Sequence, residues 1–237
     1  MTEKNPLSSS VKEGILTSIP LIFGYFPVAM AFGLLSKNIG ISFQETGIFS
    51  IFVFAGASQF MALDLINAGI STGNIILATF LLNSRHLMMS ASLSLRLQEI
   101  KKRWLIFIAF GVTDESFSIT SLIKRKLDAP FLLSLYGLSY LSWVTGTLAG
   151  YLVGTILPLA VQNSLGIGLY GMFMALLVPE TKKSLPILFL SIFSGVLYTV
   201  ISYFNLLSSS WSLIATIIMA SGIGAFFIKD STMEEKI

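Results

Sequence analysis

Arg85 and His86 are adjacent polar side chains, able to hold an anion or move a proton, inside an otherwise apolar stretch of the chain. An arginine at bilayer depth costs about 2.5–3.5 kcal/mol on insertion scales, so it normally faces a protein interior or a wet cavity and has a partner. The candidate partners are Asp114 and Glu115, near the middle of another apolar stretch, and Asp64 near the end of a third. Buried charges of both signs predict a polar pathway, which favours transport as the function.

The composition is typical of a membrane protein. Hydrophobic residues make up 54% of the 237 residues, charged residues only 11%, and the mean hydropathy is +0.82, whereas an ordinary soluble domain carries about 25% charge. The net charge of +3 comes mainly from basic residues between apolar stretches, which indicates cytoplasmic loops and no nucleic-acid surface. The sequence has no cysteine, so it has no thiolate nucleophile, and it has no Gly-rich phosphate loop. We expect no catalytic residue, no metal site and no cofactor.

The apolar stretches predict an all-α polytopic membrane protein with about 6–8 hydrophobic helical segments, since a spanning helix needs about 20 apolar residues. These stretches lie at residues 15–36, 46–69, 75–95, 104–123, 131–157, 164–179, 186–204 and 211–228. We interpret residues 1–14 as a polar cytoplasmic N-terminus, 15–228 as a single transmembrane transport domain and 229–237 as a polar C-terminal tail.

Basic residues flank the fourth stretch on both sides, with Arg96 and residues 101–103 before it and residues 124–126 after it. A full crossing would place one of these clusters outside, against the positive-inside rule, so this stretch is predicted to re-enter. The rule is satisfied best with the N-terminus inside and both the second and fourth stretches re-entrant. It is satisfied nearly as well with the N-terminus outside and only the fourth re-entrant. Small and polar residues at 56–60 and 111–116 are the predicted helix breaks.

The helix breaks are the predicted binding site, because transporters bind substrate near the membrane midplane with discontinuous helices. In a competing interpretation, Gly56 and Ala57 only allow close helix packing, and Arg85 only forms an ion pair that holds helices together. The candidate substrate-binding residues are Gly56, Ala57, Ser58, Gln59, Asn83, Arg85, His86, Asp114 and Glu115.

Three motifs in this chain resemble those of one known family. They are Gly-Ala-Ser-Gln-Phe at residues 56–60, Asn-Ser-Arg-His-Leu-Met-Met-Ser at residues 83–90 and Thr-Asp-Glu-Ser-Phe at residues 113–117. In order and spacing they are similar to the AzlC family of amino acid exporters, and the resemblance extends from about Gly14 to Ile228. It implies a multi-pass protein of the bacterial inner or plasma membrane that exports leucine, isoleucine, valine and their analogues. It also implies a small AzlD-type membrane subunit as a partner.

A zwitterionic amino acid needs an anion site, a cation site and an apolar pocket for its side chain. For the carboxylate, the candidates are Arg85 and the backbone amides near Ala57 and Ser58 at a half-helix N-terminus. Asp114 or Glu115 is expected to receive the ammonium group or to cycle a proton, which suits proton-coupled secondary export. The candidate pocket residues are Phe60, Met88 and Met89.

Two alternatives belong to other functional classes. A passive channel or a scaffold subunit for small solutes would show no saturable transport. An intramembrane serine protease would use Ser58 as the nucleophile and His86 as the base of a Ser-His dyad. The protease interpretation leaves Arg85 and the acidic pair without a role.

Overall fold

The computed structural model describes residues 6–161, 164, 171, 174, 177–178, 181–182, 184–204 and 209–227. Within these residues the regular structure is entirely helical, which confirms the predicted all-α membrane architecture. Three described helices are long and apolar enough to cross a membrane, namely Ser9–Asn38, Ala129–Ile156 and Leu185–Tyr203. Most of the predicted sixth stretch, residues 164–179, and the predicted C-terminal tail lie outside the described residues. The first helix begins at Pro6, within the segment predicted as a polar N-terminus.

Contacts between the helices group them into two compact units. The first contains α1 to α3, the end of α4 from residue 79, and α5 to α8; the second contains residues 72–78 of α4 with α9 and α10. In chain order the helices are α1 (Pro6–Asn38), α2 (Phe43–Phe52), α3 (Gly56–Asn67), α4 (Thr72–Asn83), α5 (Arg85–Ser94), α6 (Lys102–Phe110), α7 (Asp114–Leu122), α8 (Ala129–Val153), α9 (Leu185–Tyr203) and α10 (Ser209–Phe227).

Helices α1 and α8 pack closely along their length and run parallel. Near their beginnings, a Cβ on Gly14 would lie 2.5 Å from the carbonyl oxygen of Phe131, and near their ends a Cβ on Gly33 would overlap the carbonyl of Thr147. The two backbones can approach this closely because glycine has no side chain, as is common between membrane helices. Because the contacts follow the same order along both helices, both point in one direction.

Helices α2 and α3 form a helical hairpin, which we call hairpin A (residues 43–67). Gln59 of α3 donates a hydrogen bond from Nε2 to the carbonyl of Phe49 in α2 at 3.2 Å. The Phe32 ring of α1 lies 5.5 Å from Phe49 of α2 and 5.8 Å from Phe60 of α3, so α3 returns to the level of α2 after the break between them. Hairpin A starts beside the end of α8, where the rings of Phe43 and Tyr151 lie 5.4 Å apart.

Helices α6 and α7 form a second helical hairpin, hairpin B (residues 102–122), whose two ends lie together. Lys126, just after the hairpin, places Nζ 2.8 Å from Oε1 of Glu99, just before it. The hydrogen bond to the Glu99 carboxylate raises the pKa of Lys126 above its usual value. Arg96 adds a second connection, because its Nη1 donates to the carbonyl of Thr120 at 2.9 Å. The chain therefore enters and leaves hairpin B at the same end.

The two hairpins start from opposite ends of the α1–α8 pair. Arg125, which follows hairpin B, pairs with Glu13 near the start of α1 at 3.0 Å, whereas hairpin A starts at Tyr151 near the end of α8. Each hairpin turns where its helix is broken, between α2 and α3 and between α6 and α7. The first break lies at residues 53–55, directly before the predicted 56–60, which begin α3, and the second lies at 111–113, within the predicted 111–116. Both segments double back, as predicted for re-entrant segments.

The second unit is apolar in character. A Cβ on Gly224 of α10 would lie 2.8 Å from the side chain of Leu190 of α9, so these helices also meet at a small residue. A groove of about 390 Å³ runs between them and is lined in part by Phe189, Phe193 and Ile223. None of the predicted site residues belongs to this unit.

Candidate functional site

The helix breaks of both hairpins meet at Tyr25, in the middle of α1. The Tyr25 side chain is only 2% exposed. Its hydroxyl lies 2.5 Å from Oγ1 of Thr113 in the break of hairpin B and donates to Oε2 of Glu115 at 2.8 Å. Its ring lies 5.9 Å from that of Phe54, in the break of hairpin A. Two interrupted helices that insert from opposite ends thus share one polar centre, as in transporters with discontinuous helices.

The break in hairpin B positions the acidic pair at a helix N-terminus. Thr113 is the N-cap of α7: its Oγ1 accepts from the amide of Ser116 at 3.2 Å, and the Ser116 hydroxyl accepts from the amide of Thr113 at 2.8 Å. This capping box satisfies otherwise unpaired amides. Asp114 and Glu115 then occupy the first turn of α7, where the helix dipole favours negative charge.

Asp114 is the partner of Arg85. Nη1 of Arg85 lies 2.9 Å from Oδ2 of Asp114, and the two side chains are 32% and 26% exposed. Asp64, the third predicted partner, is exposed on α3, and the described part of the chain shows no ion pair for it. Arg85 reaches hairpin B because it begins α5 directly after the interruption that ends α4.

Three polar atoms beside this ion pair are buried and unpaired. Asn83 donates from Nδ2 to Oγ of Ser58 at 3.1 Å, but its Oδ1 has no partner among the described residues. The same holds for Nε of Arg85 and for Nε2 of His86. Buried polar atoms without partners are rare in proteins, so this cluster of donors and acceptors is suited to a ligand.

The N-terminus of α3 is open. Its N-cap, Ala55, provides no side-chain hydrogen bond, and the amides of Gly56, Ala57 and Ser58 have no acceptor within the described residues. A Cβ on Gly56 would lie 2.6 Å from the Trp143 ring, so the glycine is also needed for packing. The packing interpretation therefore applies to Gly56, and its role in substrate binding stays a prediction.

Gln59 is used inside the protein rather than presented to a ligand. Its side chain is fully buried. Its Oε1 accepts from Nε1 of Trp143 at 2.9 Å, while its Nε2 donates to Phe49. Gln59 therefore holds hairpin A against α8 and shapes the break indirectly.

The predicted apolar pocket is not formed as expected. The Phe60 ring is buried, with its centroid 5.8 Å from that of Phe32, whereas Met88 is 77% exposed. Sequence reasoning also missed Tyr25, the residue on which both hairpins converge. A tyrosine between Pro20 and Pro27 in the middle of a spanning helix is the available signal.

Comparison with known proteins identifies the family. The profile of the family described as AzlC protein matches residues 20–157. An uncharacterized membrane protein of Archaeoglobus fulgidus is 34% identical over 177 residues, which cover 74% of this chain and 78% of that protein. The inner membrane protein YgaZ of Escherichia coli K12 is 34% identical over 187 residues, covering 75% and 76%. The branched-chain amino acid transport protein AzlC of Bacillus subtilis is 27% identical over 158 residues, covering 65% and 62%. No solved structure matches significantly. As its motifs predicted, the chain belongs to the AzlC family.

Proposed function

We propose that this AzlC-family membrane protein is a secondary carrier that exports branched-chain amino acids. Family membership and the name of the Bacillus subtilis relative support a membrane transporter rather than an enzyme. The broken helices that meet at Tyr25 support a substrate site at membrane depth. The polar groups beside them have the charges that a zwitterion requires.

The arrangement of the helices supports a membrane topology with the N-terminus inside. Because α1 and α8 are parallel and both hairpins return to the side they left, the segment of α4 and α5 makes the one crossing between them. The alternative with the N-terminus outside and only the fourth stretch re-entrant would make α1 and α8 antiparallel. Lys12, Arg96 and residues 124–126 lie at the end where α1 and α8 begin, so the positive-inside rule assigns that end to the cytoplasm. We name it the basic end.

Glu115 is the residue proposed to receive the ammonium group or a coupling proton. The mechanism depends on the charge environment of its carboxylate. Arg85 neutralises Asp114, whereas Glu115 has a hydrogen bond from Tyr25 and no basic partner within the described residues. An ionisable residue at membrane depth without a counter-charge is typical of ion and proton pathways. Glu115 can therefore bind a cation without first breaking an ion pair.

The substrate carboxylate is assigned to Arg85 and to the backbone amides at the start of α3. Nε of Arg85 is buried and has no partner in the described parts of the chain, while Nη1 is engaged by Asp114, so the guanidinium can bind a second carboxylate. The open amides at the start of α3 offer a further anion site at a helix N-terminus. We also propose, from the family resemblance, that a small AzlD-type subunit binds this chain in the membrane.

The test is efflux of labelled leucine from vesicles that contain this chain, alone or with a small AzlD-type subunit. Asp114→Ala and Glu115→Ala should abolish saturable efflux, and Glu115→Gln should do the same because it cannot carry charge. Glu99→Gln is the matched control, since that carboxylate is 77% exposed at the basic end. Normal efflux from both alanine variants, with membrane insertion verified, would refute the assignment.

The alternatives give different results in the same vesicles. A channel shows flux that does not saturate, and a scaffold shows no flux. The protease interpretation has little geometric support, because the Ser58 hydroxyl donates to the Ala55 carbonyl at 3.0 Å and accepts from Asn83. No hydrogen bond between Ser58 and His86 occurs in the described structure.

A further inference from the structure

A cavity of about 350 Å³ lies between α5 and α6, apart from the site residues described above. Its walls are mainly apolar and include four side chains that are at most 7% exposed: Leu93, Leu97, Ile108 and Val112. Its volume and its mixture of apolar walls with a few polar groups are those of a small-molecule site between helices.

The two ends of this cavity have different surroundings. At its inner end is Val112, in the break of hairpin B, which is next in sequence to Thr113, the residue whose Oγ1 lies 2.5 Å from the Tyr25 hydroxyl. At its outer end are Gln98 and Lys102, next in sequence to the contact between Glu99 and the chain that follows hairpin B. The cavity therefore extends from the basic end of the protein toward the candidate site.

We propose that this cavity is a vestibule that binds a free amino acid with a branched apolar side chain on its way from the cytoplasm to the site. The proposal rests on the function and sidedness proposed above. The apolar walls suit the side chain, and the ammonium group of Lys102 at the mouth complements the carboxylate. Because Val112 at the inner end adjoins Thr113 and Asp114, the occupant would pass from there to the buried polar atoms of Asn83, Arg85 and His86.

Single cysteines test the vestibule directly, because the chain has none of its own. Ser90→Cys places a thiol inside the cavity. Phe107→Cys places one outside it, since Phe107 of α6 is 62% exposed and does not line the cavity. A charged, membrane-impermeant thiol reagent is added to vesicles of either orientation. We expect Ser90→Cys to react from the cytoplasmic side, at least about tenfold faster than Phe107→Cys, and leucine to slow that reaction.

Three outcomes overturn the vestibule. One is reaction of Ser90→Cys only from the outer side, and another is reaction that leucine does not slow. The third is labelling only by a reagent dissolved in the lipid, which would mean that the cavity opens to the bilayer and holds lipid chains.

A cavity-filling pair separates this proposal from the proposed function. Ala109→Phe fills the cavity and should lower leucine efflux by about tenfold or more, whereas Phe107→Trp adds bulk outside the cavity and should leave efflux unchanged. Normal efflux from Ala109→Phe, with active unsubstituted protein, refutes the vestibule alone. Absence of leucine efflux from the unsubstituted protein refutes the proposed function, and the cysteine reactions then still report whether the cavity is open to water.

Discussion

Neutralising Arg85 and Asp114 singly and together tests whether their ion pair has a structural role or a role in transport. The variants are Arg85→Gln, Asp114→Asn and the double variant. Each single change leaves one charge unpaired in a partly buried site, whereas the double change leaves two neutral amides that can still hydrogen-bond. If the pair only holds hairpin B against α5, the double variant should recover what each single variant loses.

The size of this recovery follows from the geometry. At 2.9 Å, two unit charges attract by about 6 kcal/mol at an effective dielectric constant of about 20. Desolvation cancels much of that attraction, and the side chains are 32% and 26% exposed, so we expect a net coupling of about 2 kcal/mol. The double variant should therefore lose about 2 kcal/mol less stability than the sum of the single losses, or about thirtyfold in the unfolding equilibrium constant.

Denaturant titration in detergent measures the free energy of unfolding of each variant, and leucine efflux from vesicles measures its transport activity. We expect the double variant to lose less stability than the sum of the single losses. We also expect it to show no efflux, because without Arg85 no guanidinium is present to bind the substrate carboxylate. Efflux restored in the double variant would show that the pair is only structural. Strictly additive stability losses would show that the ion pair does not form as described.

The remaining predictions concern the packing that holds the site. Gly150→Ala places a methyl group against a carbonyl of α1 and should lower the free energy of unfolding by about 1–3 kcal/mol. Gly137→Ala in the same helix has nothing within 4 Å and should change it little, so identical unfolding curves would contradict the close approach. Trp143→Phe removes the donor to Oε1 of buried Gln59 and should cost about 1–3 kcal/mol in the same titration; no measurable loss would count against that bond. Thr113→Val removes the cap of α7 and should cost about 1 kcal/mol, whereas Thr113→Ser keeps it, and equal stability of the two would argue against capping.

Several features were predictable because they are local. An arginine beside a histidine in an apolar stretch is expensive in a bilayer, so its functional or pairing role is visible from spacing alone. The motif at residues 113–117 contains a cap residue followed by acidic residues, which predicts a helix start. The basic residues on both sides of the fourth stretch predicted its return, and the pair between Lys126 and Glu99 confirms it.

Other features could not be predicted because they depend on pairs of residues far apart in the chain. Gln59 looked like a ligand residue from its motif, but Trp143, 84 positions later, takes its Oε1. The predicted pocket around Phe60 failed for a similar reason, since the helical period alone does not say which face α5 turns toward a neighbour. The division into terminal tails and a single transmembrane domain stays a prediction.

The sequence by itself determined the class of the protein, its family and, to within a few residues, the positions of its helix breaks. The bilayer imposes these features residue by residue, through apolar composition, basic loops and small or polar residues where helices stop. Only the tertiary structure decided that α1 and α8 are parallel, that Asp114 rather than Asp64 neutralises Arg85, and that Glu115 is held by Tyr25 with no basic partner among the described residues. The contact between Tyr25 and Glu115 joins residues 90 positions apart. Glycines in or beside both breaks favour this convergence, because Gly56 packs against the Trp143 ring and Gly111 against the Tyr136 side chain of α8.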